Sequence, residues 1–446
     1  MVEELYKELQ DKLKRRKLRF NRWLQEKKAS DLAEVIFYLN EEELNLFINK
    51  SQKSRIAAII EKADEDIQVL IINNMKLNDI ITVFTYISSD EITDILGNIP
   101  RDKRKEILKK MKPEKAEVVQ KLLEYGEESA GGLMTTEFIC FPENYSIKKV
   151  LDELEEKIEA KTANLETIFV INEKNKLVGK ADLRGILSAS EDILLKEVTN
   201  YNIVTVVPGM DQEEVSLLVA KYDLKVIPVV NKNNNILGLI TVDDIIDVIE
   251  EEATEDMLMM VGVDKDERVN SSLLTSIRKR LPWLYINLGT AFLAAMVVGM
   301  FEEVISQVVA LAVAMPIVAG MGGNAGSQTL SIMIREIALG ELDFKTNWKL
   351  VFKEIFLGLI HGAAIGVVTG LILYLNYSNI YLGLIIFLAM IANLVIAGLS
   401  GFLIPVTLKG LGVDPALAAA IFLTTATDVF GFFVFLGMAK LFLEFL

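Results

Sequence analysis

The 446-residue chain has one cysteine and one histidine, and each scarcity removes a class of chemistry. A lone Cys140 cannot close an intrachain disulfide, and a lone His361 leaves no imidazole or thiolate set for zinc or copper within one chain. Any metal handled here must meet oxygen ligands, which suits hard cations such as Mg²⁺. Charge is scarce at the carboxyl end: residues 281–446 hold 6 Lys/Arg and 9 Asp/Glu, which leaves 41 and 53 of the chain's 47 and 62 for residues 1–280. A charged soluble part is therefore followed by a membrane part. The opening MVEELYKELQDKLKRRKLRF is charged throughout and contains no cleavable signal, so the amino terminus is expected in the cytosol. No cluster of nucleophile, base and orienting group is present, which argues against an enzyme, and nucleic acid is not an expected partner at a net charge of −15.

Five apolar stretches are long enough to cross a bilayer, which takes about 20 residues each. They are residues 283–300, 308–334, 355–375, 381–408 and 415–443. Arg278, Lys279 and Arg280 precede the first, Arg335, Lys345, Lys349 and Lys353 follow the second, and Lys409 follows the fourth; the connections near Glu302 and Asn376 carry none. Basic residues stay on the inner side, so the pattern gives amino terminus in and carboxyl terminus out, with Lys440 a small exception.

Inside the fifth stretch stands one carboxylate, Asp428, in TTATDVFGFF. An ionised side chain at that depth costs several kcal/mol unless it faces water, a partner or an ion. Thr424 and Thr425, four and three residues earlier, share its helical face and add oxygen atoms, so this span is expected to form one wall of a cation pathway. In the second stretch, Pro316 and GMGGNAGSQT set four glycines beside Asn324 and Gln328, which face one side of a helix as pore lining or as interhelical hydrogen-bond glue. His361 in GLIHGAAIG is read as a neutral packing residue, and Glu354 beside Lys353 as an interfacial pair.

Before the membrane lies an internal repeat. LETIFVINEKNKLVGKADLRGIL from Leu165 matches LKVIPVVNKNNNILGLITVDDII from Leu224 at a constant offset of 59, pairing Asn172 with Asn231 and Gly179 with Gly238. Each copy reads as strand, turn, strand, helix, with a lead-in strand ending in Pro142 or Pro208. Such tandem units resemble a pair of CBS domains, modules that commonly bind adenosyl nucleotides. By that likeness Thr241 would serve phosphate and Asp244 ribose in the second copy. The first copy has Asp182 and Gly185 at those places, so a nucleotide site is expected once only.

From Thr241 to Asp264 the chain carries nine acids and no Lys or Arg. On a helix Asp244, Asp247, Glu251 and Glu255 stack on one face, and like charges at that spacing repel. Divalent cations would relieve the repulsion; a solvated acidic linker is the alternative. Residues 1–130 show short amphipathic helical segments, as in a small right-handed array of helical hairpins, and the basic stretch KLKRRKLRFNRWLQEKK reads as a solvated helix face.

Several motifs in one order resemble the MgtE family of magnesium channels across essentially the whole chain: SAGGLMTTEF, TVDDIIDVIEEEATED, RKRLPWL, PIVAGMGGNAGSQ and TTATDVFGF. The resemblance implies a multidomain chain: an all-α helical-repeat domain (1–130), two α/β CBS domains (131–197 and 198–256), a connecting plug helix (243–270) and a five-helix membrane domain (271–446). It implies a homodimer in the lipid of a bacterial cell membrane, with Asp428, Thr424 and Asn324 at the pore. It further implies regulatory Mg²⁺ held by Asp244, Asp247, Glu251, Glu252, Glu255, Asp256, Asp211, Glu213 and Asp223, with Asp90 or Glu91 in the helical domain, and ATP as a candidate CBS ligand. Two rivals make other demands on the sequence. A CBS-regulated anion transporter would place basic groups at mid-membrane, and a signalling anchor would have no reason to keep Asp428 in lipid.

Overall fold

The computed structural model describes residues 2–158, 166–265, 267–269, 271–340 and 348–446, so Leu165 at the head of the first repeat and Lys345 in the loop after the second span lie outside it. The chain divides into two compact units, Met1–Val248 and Ile249–Leu446.

The first unit begins with short helices from α1 (Val2–Leu13) to α10 (Pro113–Leu122). Odd helices stack on odd neighbours, α1 on α3 (Ala29–Ile36), α3 on α5 (Lys53–Ile60), α5 on α7 (Leu77–Val83), so each hairpin buries its apolar stripe against the next, as solenoids do. One core results, from Leu5 to Val119. Long cations close the helix ends. Lys103 Nζ donates to the Ile72 carbonyl and Lys115 Nζ to the Phe84 carbonyl, which satisfies orphan acceptors at the negative pole of each helix.

The repeat holds in three dimensions. After α11 (Ala130–Leu133), strand β1 (Cys140–Pro142) and α12 (Ile147–Ile158), strands β2 (Thr167–Ile171) and β3 (Leu177–Asp182) pair antiparallel with Val170 opposite Gly179, leading into α13 (Leu183–Ser188). Past α14 (Gln212–Tyr222), β4 (Val226–Val230) and β5 (Ile236–Thr241) repeat the pairing with Val229 opposite Gly238, at the same offset of 59. Even the turns match. Asn172 Oδ1 accepts from the amides of Lys174 and Lys176, and Asn231 Oδ1 from those of Asn233 and Asn235. The expected lead-in strand is a true strand only in the first copy; before Pro208 it shrinks to a single bridge from Val206 to Val229.

Helix α15 (Val242–Met260) starts where the shorter α13 starts in the first copy. It is shorter than the expected 243–270, because Gly262 adopts φ +73 and turns the chain. The second unit then holds five helices long and apolar enough to cross a membrane: α16 (Leu273–Gly299), α18 (Val309–Ala338), α19 (Trp348–Tyr377), α20 (Ile380–Gly410) and α21 (Ala419–Leu441), with the short α17 (Glu302–Gln307) between the first two. The first span therefore begins ten residues earlier than its apolar run and carries Arg278, Lys279 and Arg280 within the helix. A stripe of Gly358, Gly362, Gly366 and Gly370 lets α19 lie backbone to backbone on α20: a Cβ on Gly362 would fall 2.5 Å from the Ile391 Cα. That stripe takes the packed face, and His361, turned about 100° from Gly362, is exposed rather than packed as expected.

Two glycines of the CBS repeat, Gly238 in β5 and Gly185 in α13, test how closely the backbone packs there. A Cβ on Gly238 would lie 2.6 Å from the Thr135 carbonyl oxygen, whereas one on Gly185 meets nothing within 4 Å. Gly238→Ala should lower stability by about 1–3 kcal/mol, and Gly185→Ala, inside α13, should leave it unchanged or raise it by up to about 1 kcal/mol. Thermal unfolding of the two full-length variants reads the difference; equal effects would refute the close approach.

Candidate ion pathway and acidic sensor

Helix α21 carries the membrane carboxylate. Asp428 is half-buried and takes no hydrogen bond or ion pair among the described residues. One turn earlier the hydroxyls of Thr424 and Thr425 both donate back to the Ile421 carbonyl, at 3.1 and 2.6 Å. Their oxygens keep lone pairs for an outside donor, such as the water around a cation. Asn324 and Gln328 are exposed on α18, which packs against α21; no hydrogen bond joins Asn324 to Asp428. Glu354 does not form the expected pair with Lys353, since neighbours in sequence diverge on a helix. It accepts from Thr329 Oγ1 at 2.9 Å, tying α19 to α18.

In the first unit the acids of α8 (Ser89–Gly97) meet the start of α15. Glu91 is pushed up to about 8, first by burial and then by Asp94, Asp90, Glu61 and Asp244. Burial raises Asp94 to about 7, with Asp90, Glu127, Glu65 and Asp244 adding to it. Asp244 rises to about 6, again chiefly through burial, against the opposing hydrogen bond from Thr241. Among the described residues no Lys or Arg is a leading influence on any of the three, and Asp90 Oδ1 is buried without a hydrogen-bond partner. Asp244 Oδ2 accepts from the Thr241 hydroxyl at 2.6 Å and more weakly from its amide at 3.3 Å, which caps α15. The two residues expected to serve a nucleotide thus hold each other.

The remaining regulatory candidates fall in separate places. Asp211 caps α14 by accepting from the Glu213 amide at 2.9 Å, and Asp223 ends the same helix at φ +50. Twelve residues of helix put those two about 18 Å apart, so one ion cannot bridge them within a chain. Asp247 and Glu251 are exposed on α15, and Glu252 is half-buried. Glu255 meets Lys265 at 3.3 Å, a neutralising partner just beyond the acid-only segment.

In the second unit Asp256 rises to about 6, from burial and then from Asp414 and Glu252. Near it the end of α15 is fastened to the membrane helices. The Ala418 amide donates to the Met259 carbonyl at 2.9 Å, and Met259 and Met260 pack on a cluster of Leu330, Ile334, Ala416, Ala419 and Leu423. Lys279 then pairs with Asp264 at 2.9 Å, and Arg280 with Glu267 at 2.8 Å.

Among the described residues no three Asp, Glu, His or Cys side chains converge tightly enough to chelate a bare ion. What the structure offers is looser: buried, uncompensated carboxylates in two places and a solitary one in α21. Sequence reasoning missed Asp94 and Asp414. The first was within reach, because Asp90 and Asp94 stand one helical turn apart; the second sits in a connection with nothing in the chain to link it to Asp256.

Comparison with known proteins fits this layout. A family model described as a divalent cation transporter, MgtE, matches residues 315–438, the MgtE intracellular N domain matches residues 27–128, and CBS domain models match residues 130–192 and 195–251. The magnesium transporter MgtE of Bacillus subtilis is 28% identical over 425 residues, 95% of this chain and 94% of that protein. That of Thermus thermophilus is 36% identical over 336 residues, covering 73% of this chain and 72% of its own. The crystal structure of the soluble part of a magnesium transporter aligns with TM-score 0.52 and 25% identity, covering 57% of this chain and all of its own. The cytosolic domain of the Mg²⁺ channel MgtE in complex with ATP aligns with TM-score 0.52 and 26% identity, covering 56% of this chain and all of its own. This chain, a helical array followed by paired CBS units and five membrane-length helices, belongs to the MgtE family of divalent cation transporters.

Proposed function

We propose that the chain carries Mg²⁺ across a bacterial cell membrane as a homodimer, and that its cytosolic carboxylates close the path when Mg²⁺ is plentiful. The observation that carries the first part is the unpartnered Asp428 in α21. Two copies of that carboxylate on a shared axis attract a divalent ion more strongly than a monovalent one in a low-dielectric throat. Magnesium sheds water reluctantly, so outer-shell contacts suit fast passage better than stripping would. The oxygens of Thr424 and Asn324 are placed to accept from that hydration water.

For the sensor, the residues present fit a divalent cation: the orphaned Asp90 oxygen and the raised Glu91, Asp94 and Asp244 all need positive charge that the protein does not provide. A bound cation supplies that charge. Asp90, Glu91, Asp94 and Asp244 would hold it in the first unit, and Asp256 with Asp414 in the second. Binding to the compact arrangement alone stabilises it by mass action, and depletion lets the carboxylates part. Helix α15 links the two sets along the chain and acts as the plug. Asp247, Glu251, Glu252 and Glu255 lie along it, and Asp211, Glu213 and Asp223, on α14 and its two caps in the second CBS copy, would share regulatory ions with the helical domain. By the family likeness the second CBS copy would take an adenine nucleotide such as ATP, with the Thr241 hydroxyl for phosphate and Asp244 for ribose, which requires the bond between those two side chains to open and Asp244 to leave the cation. The amino-terminal domains face the cytosol and the carboxyl terminus faces outside, as the sorting of basic residues requires.

Asp428→Ala should abolish Mg²⁺ uptake into proteoliposomes; uptake at the wild-type rate would overturn the pathway assignment. Asp90→Asn with Asp244→Asn should leave uptake intact at low internal Mg²⁺ and blunt its inhibition at high internal Mg²⁺ roughly tenfold or more, as expected for losing two charged ligands. Unchanged inhibition would remove the sensor role.

The raised carboxyls also set a pH dependence. Values above those of the unfolded chain mean that the folded unit binds more protons. That stabilisation is complete below the ordinary carboxylate range and is lost as the pH rises through about 6, 7 and 8 for Asp244, Asp94 and Glu91. Without divalent ions, resistance of the full chain to proteolysis within its first 248 residues should fall across that window. Added Mg²⁺ should restore it most strongly at the alkaline end, and equal protection at both ends would contradict the assignment.

A further inference from the structure

Asn393 stands near the middle of α20, fully buried. Its Nδ2 donates to the Val318 carbonyl of α18 at 2.7 Å, which fixes the orientation of the amide, since an oxygen could not donate there. Its Oδ1 is buried with no hydrogen-bond partner among the described residues. Two glycines make room for the group. A Cβ on Gly322 of α18 would lie 2.4 Å from Nδ2, and one on Gly431 of α21 would lie 2.6 Å from Oδ1. The amide is therefore wedged between the two helices that carry the pathway candidates, Asn324 two residues after Gly322 and Asp428 three before Gly431.

Leucine has nearly the same shape and would leave no orphaned acceptor, so packing alone gives no reason for an amide here. What a buried amide provides is register, at a cost in stability, as a single asparagine does in the core of a coiled coil. Sliding α18 by one residue, about 1.5 Å of rise with a 100° turn, would break the bond to Val318. The same screw on α21 would turn Phe430 or Phe432 toward the space that a Cβ would already overfill.

We propose that Asn393 is a positioning residue of the ion pathway: its amide keys α18 and α21 to α20 and so fixes the height of Asn324 relative to Asp428. It touches neither the ion nor the carboxylate, and the inference rests on reading Asp428 as the pathway acid. Asn393→Leu should fold and insert with thermal stability equal to or above that of the wild type. Its KM for Mg²⁺ in proteoliposomes should rise, and its discrimination against Na⁺ should fall, each roughly fivefold, the scale of one net hydrogen bond. A merely structural amide would move stability and leave selectivity alone; that outcome overturns the proposal.

A second pair decides the matter should the leucine variant fail to fold. Gly431→Ala drives a methyl into Oδ1 and displaces the amide, so it should impair selectivity as Asn393→Leu does, and Asn393→Ala added to it should not restore selectivity, because the amide that keys the helices is then gone. A double variant with wild-type selectivity, as relief of a simple clash would give, also overturns the proposal. The wild type measured in the same vesicles separates the two claims. No Mg²⁺ entry there refutes the transport reading and this inference with it, whereas entry that all variants leave unchanged refutes the inference alone.

Discussion

A carboxylate moved out of bulk water loses solvation that only a counter-charge, hydrogen-bond donors or retained water can replace. Asp428 has neither of the first two among the described residues, and the helices around it are almost wholly apolar. For the ionised form, retained water or a cation is what remains, and in the proposed reading the neighbouring groups agree with that. Thr424 and Thr425 spend their protons on their own helix and present oxygen outward, and Asn324 is exposed on the helix packed alongside. The face is rich in acceptors and free of cations, the polarity a positively charged traveller requires.

The same constraint recurs outside the membrane with a different outcome. Around Asp90, Glu91, Asp94 and Asp244 burial is partial and, among the described residues, no basic side chain is a leading influence, so the protein keeps an arrangement in which like charges repel. Three acids at the end of α15 and beyond it are answered: Glu255 by Lys265, Asp264 by Lys279, Glu267 by Arg280. The contrast between these neutralised acids and the α8 cluster is what supports the proposed cation there.

Features that depend on local sequence were legible, and features that depend on how distant helices meet were not. The repeat could be read because strand register and the Asn172 and Asn231 turns are local, and an offset of 59 carries through every hydrogen-bonded pair. Asp428 was visible because acids are so rare in such a span. By contrast, Glu354 looked like a partner for its neighbour Lys353 and instead meets Thr329, 25 residues away. Asn393 drew no attention as one amide among apolar residues, since its meaning lies in two glycines on other helices. The end of α15 was overestimated because acids and apolar residues continue past Met260, while the single left-handed Gly262 stops the helix.

In the proposed reading, the junction of α15 with α21 is where a soluble event would reach the pathway. Met259 is the penultimate residue of α15, and its carbonyl accepts twice, from the Gly262 amide and from the Ala418 amide, each at 2.9 Å; Ala418 immediately precedes α21, where amide donors are left open. The bond from Ala418 satisfies one of those donors, and the negative pole of one helix meets the positive pole of the other. Ala418 is held at φ +51, a conformation a residue with a Cβ seldom adopts, so the turn persists only while its surroundings impose it. The neighbouring Met259 and Met260 side chains sit in the cluster with Leu330 and Leu423, which adds an apolar seal to the polar bond. In the proposed reading, a shift of α15 that follows relaxation of the α8 acids cannot leave this joint untouched. It either carries the start of α21 along or breaks the bond that holds Ala418, and both alter the first turns of the helix on which Thr424 and Asp428 stand.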